Sequence, residues 1–456
     1  MITCTPRAAW INLLRRLHFA IGLFVGPFIF IAALTGTLYV ATPQLENFIY
    51  RQALSAEVVG EPHSLAEQIA VAEEAVGLDL PLYAVRPSLT LGETTRVMFS
   101  SPQLDGSESR ALFIDPVTLA VKGDMTVYGT SGILPLRQWI DYAHRSLLLG
   151  NVGRLYSELA ASWMWIAACG GIALWFFTRP KRRLNNRLQN NRRIHVTLGW
   201  LLLGGMLLFS ATGLTWSQWA GGNVDKLRAA FSWLTPQVNT QLSGQARIED
   251  PHAEHHGHHD GMAMMMTMPL DLTRFDSVLH LAQLSGIDAR RLEIRPPKSS
   301  DRAWTVTEID RRWPTQVDAV AVDANTMQVV DRTRFADFPL MAKLTRWGVD
   351  FHMGLLFGVL NQLVLIAFGT ALCVMILIGY RLWWIRRPSP AAYNPMTTLT
   401  QSWCDLSPVG RAGTIIVAVM LGMAMPVLGG SLLLFIIIDV LRWRMANAVS
   451  SVQSAE

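Results

Sequence analysis

Hydrophobic positions along the chain gather into five long runs separated by polar stretches of very unequal length. Leu17–Val40, Leu159–Phe177, Ile194–Trp216 and Leu355–Trp384 each supply the roughly 20 apolar residues that a membrane-crossing helix needs. The fifth run, Ala412–Leu441, is long for one span and short for two, and Pro426, Gly429 and Gly430 interrupt it. Each half would hold only about 14 residues, so the pattern predicts either a hairpin of short helices or one kinked span. The polar stretches after the first and third runs have a different texture. Ser64–Val76 and Leu272–Leu284 read as helices, while Phe113–Leu119 and Val320–Thr326 read as strand, turn, strand, turning at Asp115-Pro116 and Asp323-Ala324-Asn325.

The two halves repeat. Arg15-Arg16-Leu17-His18, with Gly22, matches Arg192-Arg193-Ile194-His195, with Gly199, at a separation of 177 residues, and Thr35-Gly36 matches Thr212-Gly213 at the same separation. A second match, at 208 residues, relates Trp139 to Trp347, His144 to His352, Leu147-Leu148 to Leu355-Leu356 and Gly150 to Gly358. Asp141 and Asp350 depart from it by one residue. The predicted unit is span, small α+β domain, span, used twice in parallel, which implies a pseudo-two-fold axis along the membrane normal.

Composition agrees with a membrane protein: of 456 residues 51% are hydrophobic and 16% charged, against about 25% charged in soluble domains. The net charge of +5 would suit nucleic acid if it were spread over a surface. It is concentrated instead beside the spans: Arg7, Arg15 and Arg16 before the first, Arg179, Lys181, Arg182, Arg183, Arg187, Arg192 and Arg193 between the second and third, Arg381, Arg386 and Arg387 at the end of the fourth. By the positive-inside rule all three places are cytoplasmic and the two long polar stretches lie outside. The first apolar run exceeds a typical signal-peptide core and no Ala-x-Ala site follows it, so it reads as a signal anchor. Of the four cysteines, Cys4 and Cys404 fall in cytoplasmic segments and Cys169 and Cys373 in spans; the external domains have none and must fold without disulfides.

Four of the eleven histidines occupy the repeated positions. His18 and His195 sit just inside the cytoplasmic ends of spans one and three, and His144 and His352 at the external ends of spans two and four. A pseudo-two-fold brings each pair toward the axis, one pair near each face; the stretch from His18 to Thr35 alone covers about 25 Å of helix. Facing imidazoles on different helices suit two haem b groups with bis-histidine ligation, non-covalently held because Cys-x-x-Cys-His is lacking. Gly22, Gly26, Gly199, Gly150, Gly153, Gly354 and Gly358 leave room for a large flat group, and Arg15, Arg16, Arg192 and Arg193 are candidates for its propionates. The competing readings are interfacial anchoring, glycine-mediated helix packing, a proton relay and a metal site.

One tract has no counterpart in the first half: His252, His255, His256, His258 and His259, then Met262, Met264, Met265, Met266 and Met268. Imidazole and thioether ligands suit Cu or Zn. The alternative is a solvated insertion that binds metal incidentally.

The Arg-Arg-x-His-x-x-x-Gly motif with its later Thr-Gly, the His-x-x-Leu-Leu-x-Gly motif and the external domains resemble the PepSY-associated transmembrane family, which includes iron-regulated membrane proteins and ferric-siderophore reductases. The resemblance covers roughly Arg15–Arg387. It implies a polytopic protein of the bacterial inner membrane. On that reading residues 1–41 are a cytoplasmic N-terminus and span, 42–138 a periplasmic PepSY-like domain, 139–178 a periplasmic lead-in and span, and 179–193 a basic cytoplasmic loop. Residues 194–219 are the third span, 220–346 the second PepSY-like domain with the loop 252–268, and 347–387 a lead-in and span. Residues 388–411 are a cytoplasmic linker, 412–444 the C-terminal helix or hairpin and 445–456 a tail. By carry-over His18, His144, His195 and His352 are haem ligands, and the activity is reduction of a periplasmic ferric siderophore or other metal chelate. No flavin or nicotinamide fingerprint is present, so the electron donor is a partner protein or quinol; nucleic acid is not a partner. The alternatives are a copper reductase, a metal- or peptide-sensing binding protein, and a transporter on parallel repeats.

Overall fold

The structure is a computed structural model that describes residues 6–77, 80–178, 187–242, 270–386 and 398–453. The histidine- and methionine-rich tract 252–268, and most of the basic loop at 179–193, lie outside the described residues. The chain divides into two compact units.

The first unit comprises residues 1–38, 141–227 and 363–456 and is helical. Helix α1 (Pro6–Ala20) runs through a π-helical turn, Ile21–Val25, into α2 (Gly26–Ile49), whose residues up to Leu38 belong here. It is joined by the last turns of α5 (Pro135–Ser146), then α6 (Gly150–Phe177), α7 (Arg187–Thr215), most of α8 (Trp219–Ala230), α11 (Gly358–Arg386), α12 (Leu399–Cys404), α13 (Pro408–Ala424) and α14 (Pro426–Gln453). Pro6–Ile49, Gly150–Phe177, Arg187–Thr215, Gly358–Arg386 and Pro426–Ala448 are long and apolar enough to cross a membrane. The protein is therefore a multi-pass membrane protein whose surroundings are a lipid bilayer.

Ile21, Val25, Ile29, Trp163, Met164, Leu202, Met206, Leu372 and Met375 form the core of this unit. The last apolar run folds as two helices that break at Met425-Pro426, where proline ends α13 and opens α14. Gly422 and Gly429 let them close on each other: a Cβ on Gly422 would lie 3.2 Å from the Gly429 Cα. Trp163 Nε1 donates to Ser431 Oγ at 2.9 Å and ties α14 to α6. Carboxylates cap helix starts: the buried Glu158 accepts from the Trp219 and Ala220 amides at 3.0 Å each, and the half-buried Asp439 from those of Leu399 and Thr400 at 3.1 and 2.6 Å.

The second unit comprises residues 39–140 and 228–362. In order it holds the short α3 (Arg51–Leu54), α4 (Leu65–Val76), β1 (Leu82–Arg86), β2 (Thr95–Phe99), β3 (Glu108–Ile114) and β4 (Val121–Tyr128), then α9 (Arg274–Leu284), β5 (Leu292–Arg295), β6 (Trp304–Glu308), β7 (Ala319–Asp323), β8 (Gln328–Thr333) and α10 (Leu340–His352). All eight strands form one antiparallel sheet in the order β4-β3-β2-β1-β5-β6-β7-β8. Alternation sorts the faces. Val85, Val97, Phe99, Leu112, Ile114, Ile294, Val306, Val320 and Val322 meet Ile69, Phe275 and Val278 of α4 and α9. Ala84, Met98, Ala111 and Phe113 point the other way, toward Ala53 and Leu134. Helix α4 begins with a Ser64–Glu67 capping box, and its free amides at Leu65 and Ala66 are also taken by Asp276 of α9, at 2.8 and 3.2 Å.

Strands β1 and β5 meet at Val85 and Ile294. Beside that seam the buried Glu293 carboxylate holds Arg86 and Arg295, each 2.6 Å away. Burial alone would raise its pKa, but Arg295 and Arg86 outweigh burial and hold it at about 2. A carboxyl group depressed on folding adds stability that is present above its unfolded value and lost as pH falls toward 2. Glu293→Gln is expected to cost about 3–5 kcal/mol, the usual consequence of removing one member of a buried ion pair. It should also flatten the pH dependence of stability over that acid window. Thermal unfolding of wild type and variant across the window checks both; an unchanged profile in the variant would refute the assignment.

Candidate functional site

Three of the four repeat-related histidines fall in the helical unit, and their surroundings are alike. His18 is on the last turn of α1, and its Nδ1 lies 3.1 Å from the carbonyl oxygen of Ala167 on α6. His195 is on α7, and its Nδ1 lies 3.1 Å from the carbonyl oxygen of Met375 on α11. A carbonyl only accepts, so in both rings Nδ1 carries the proton and Nε2 presents the lone pair. Ala167 and Met375 are 208 residues apart, the separation that also relates His144 to His352.

The same separation relates the glycines that admit the rings. A Cβ on Gly171 would lie 3.1 Å from His18 Cε1, and one on Gly379 would lie 3.5 Å from His195 Cε1. Four residues after each histidine stands another glycine. At Gly22 a Cβ would meet nothing within 4 Å, and at Gly199 only the Met375 sulfur at 3.9 Å. The two imidazoles face each other with ring centroids 6.4 Å apart and planes inclined at 75°.

His144, on α5, has the same tautomer by a different route. Its Nδ1 lies 3.1 Å from Thr35 Oγ1, and that hydroxyl already donates to the Ile31 carbonyl at 2.7 Å, so it accepts from the ring. Gly36 leaves the space: a Cβ there would lie 3.1 Å from His144 Cε1. The turn that follows is strained, with Leu147 and Leu148 at φ of 52° and 60°, a backbone cost that concentrates at functional sites. His352 closes α10 in the other unit, two residues beyond the buried Asp350.

The remaining sequence candidates divide by what they touch. Gly150 and Gly358 both have φ of 58° and begin α6 and α11, so their glycine character is required by the turn itself. Arg192 donates to Thr178 O and Oγ1 at 3.0 and 3.1 Å and holds the end of α6. Arg15 reaches Asn12 Oδ1 at 3.3 Å; Arg193 is exposed and Arg16 half-buried. Among the described residues no cluster of three or more His, Cys, Asp or Glu could hold a metal ion.

Sequence reading missed Gly171 and Gly379, although extending the 208-residue match would have reached them. It also missed Tyr380. A π turn, one residue per turn wider than an α-helix, leaves carbonyls badly aligned with their amides. Tyr380 Oη lies 3.0 and 3.1 Å from the Gly22 and Leu23 carbonyls, inside the π turn that follows His18. Gly26 makes way for that phenol, since a Cβ there would stand 3.0 Å from Oη. Helix α7 continues past His195 without a π turn.

The model of one known family, described as the PepSY-associated TM region, matches residues 15–386. No curated protein matches the chain.

Tyr380→Phe keeps the ring and removes its hydrogen bond to the Gly22 and Leu23 carbonyls. The expected loss is about 1 kcal/mol, with faster amide exchange confined to the turn around Ile21–Gly26. Hydrogen exchange by mass spectrometry on the two proteins reads it, and identical exchange there would show that the phenol does not hold the turn.

Proposed function

The chain belongs to the PepSY-associated TM family, and from that premise we propose that it is a b-type haem protein of the bacterial inner membrane that passes electrons to a ferric chelate on the periplasmic side. The observation that carries the proposal is the facing pair His18 and His195, ring centroids 6.4 Å apart, each with Nδ1 tied to a backbone carbonyl of a neighbouring helix. Two imidazoles this close on different helices could both serve as nitrogen ligands to the iron of one haem.

The residues present fit a macrocycle. The open space at Gly22 and the near-open space at Gly199 are what a broad flat group needs beside its ligands. The Nδ1–H bonds fix each ring's orientation and raise the basicity of Nε2, as second-shell bonds to metal-bound histidines do. The half-buried Arg16 and the exposed Arg15 and Arg193 are available to propionates. His144 and His352, related by the second sequence match, are proposed to hold a second haem. Bound haem supplies one-electron transfer; the chain's part is to hold the rings, exclude water and set the path.

The proposal includes the parallel repeat. It is supported by the common separation of 208 residues in Ala167/Met375, Gly171/Gly379 and His144/His352. The basic residues beside Pro6–Ile49, Arg187–Thr215 and Gly358–Arg386 favour a cytoplasmic N-terminus and periplasmic segments 42–138 and 220–346. The donor is then a partner protein or a membrane quinol. Reduction of ferric iron loosens a chelate whose hard oxygen ligands prefer the higher charge, which fits iron acquisition from a siderophore.

The test is a reduced-minus-oxidised absorption spectrum of the detergent-purified protein, with the pyridine haemochrome giving stoichiometry. The expected result is sharp b-type bands at about two haems per chain, the number implied by two bis-histidine sites. His195→Ala should lose about half of that absorption. Full absorption in His195→Ala would refute the ligand assignment. A protein without haem, grown with ample haem supply, would move the reading to metal binding at the 252–268 tract and a sensory role.

A further inference from the structure

A partly buried cluster of arginines in the unit of residues 39–140 and 228–362, with Arg137 buried, carries more positive charge than its carboxylates balance. Arg86 and Arg295 share Glu293, each at 2.6 Å. Arg311 and Arg346 share Asp350, at 3.7 and 3.2 Å, and that carboxylate is completely buried. Arg137 approaches Glu46 only to 4.0 Å and lies 4.5 Å from the centre of the Tyr39 ring. Arg96 donates to the Gly132 carbonyl at 2.8 Å and lies over the Phe113 ring.

Three of these groups converge on one loop, and the other three join them through carboxylates: Arg295 shares Glu293 with Arg86, Arg346 shares Asp350 with Arg311, and Arg137 and Arg96 both act on Glu46. Arg86 donates to the Ser131 and Thr130 carbonyls at 2.9 and 2.8 Å, Arg311 to Thr130 Oγ1 at 3.1 Å, and Arg96 to the neighbouring Gly132. Six guanidinium groups therefore meet three carboxylates, Glu46, Glu293 and Asp350, a surplus of three positive charges. The next charges to act on Arg96, Arg291 and Glu93, add one of each sign.

Burying like charges without counter-charge is strongly unfavourable, and the cluster shows it. Burial, then Arg86 and Arg291, push Arg96 down to about 9; burial, then Arg346, push Arg311 down to about 10. An ordinary guanidinium stays protonated above 12. Arg137, only 6% exposed, has Nε and Nη2 buried without an acceptor. Donors in this state call for oxygen acceptors that bring negative charge.

We propose that the cluster of Arg137, Arg311, Arg346, Arg96 and Arg86 is a binding site for a multiply charged oxygen anion, a polycarboxylate in chemical class. Guanidinium forks match planar carboxylates two bonds at a time, and three surplus charges suit a di- or trianion. The site stands on these arginines alone and does not depend on the histidine pair. Two sources offer such carboxylates: a cofactor held by the chain, through its propionates, and a soluble anionic chelate.

The probe is citrate, titrated calorimetrically into the full-length protein in detergent, prepared with and without haem supply. Arg137→Gln and Arg311→Gln are compared with Arg110→Gln, whose exposed pair with Asp124 lies on β3 and β4. Citrate should bind wild type more weakly as salt rises. The first two variants should lose at least about tenfold in affinity, the worth of one charge-assisted hydrogen bond, while Arg110→Gln binds as wild type. Binding to both preparations assigns the site to a soluble chelate; binding to haem-free protein alone assigns it to cofactor carboxylates. Absence of citrate binding in both preparations, or equal binding by Arg137→Gln and wild type, would overturn the proposal. Should Arg311→Gln fail to fold, Arg137→Gln alone decides.

Discussion

Hydrocarbon offers no water to take up the N–H of an imidazole. A histidine inside a membrane helix must therefore find its partner on a neighbouring helix, and much of the helical unit follows from how His18 and His195 do so. The acceptors are mid-helix carbonyls, Ala167 and Met375. Each already receives the amide four residues on, at Gly171 and Gly379, and uses its second lone pair for the ring. For an imidazole to come that close, the residue at that amide must lack a side chain, and it does in both cases. One hydrogen bond thus accounts for the close pairing of α1 with α6, for the reach of His195 from α7 to α11, for the glycine in each partner helix, and for the tautomer of each ring. The π turn after His18 answers to the same constraint: its misaligned carbonyls in an apolar setting need a donor, and Tyr380 brings one.

In the other unit the limiting problem is an open sheet edge. A four-stranded sheet with β1 at its border would expose a row of unpaired amides and carbonyls. Pairing β1 with β5 closes both borders at once and leaves β4 and β8 as the edges. The junction carries charge, since Arg86 and Arg295 stand at the ends of the two strands, and Glu293 neutralises part of it. Two helices, α4 and α9, then cover one face as a continuous layer, with Asp276 of one capping the start of the other.

What could be read from sequence was what periodicity and turn chemistry encode locally. The first three apolar runs became helices longer than themselves, because flanking polar residues such as Arg187–Arg193 continue the helical hydrogen bonding, whereas the fourth starts only at Gly358, after the turn that its positive φ makes. Ser64–Val76 appeared as α4 with Ser64 as its cap, and the Asp115-Pro116 turn as the link between β3 and β4. The last apolar run proved to be two helices, the second carried past Arg442 and Arg444 well beyond the apolar stretch. The β1–β5 pairing was not legible: each strand has at most five residues, and nothing in Leu82–Arg86 names Leu292–Arg295 as its neighbour. The π turn was hidden because Ile21–Val25 has an ordinary helical composition and the donor that answers its carbonyls lies more than 350 residues away, at Tyr380. The arginine surplus was equally invisible, since its members are spread from Arg86 to Arg346.

The tautomers bear on which chemistry the histidines can serve. A proton relay needs a ring that takes a proton on one nitrogen while releasing one from the other, and then resets. Nδ1 of His18 and of His195 faces a backbone carbonyl, which has no proton to give and no route onward for one it receives. At His144 the facing hydroxyl of Thr35 spends its proton on the Ile31 carbonyl. The rings of His18 and His195 are thereby held with one nitrogen committed and the other offered as a lone pair, a condition that suits ligation and frustrates relay. A merely interfacial histidine would have no need of a glycine cut into the opposite helix, since its ring could turn toward water. The cost of admitting these rings, in helix-weakening glycines and a strained turn, is the cost of holding them in one fixed orientation.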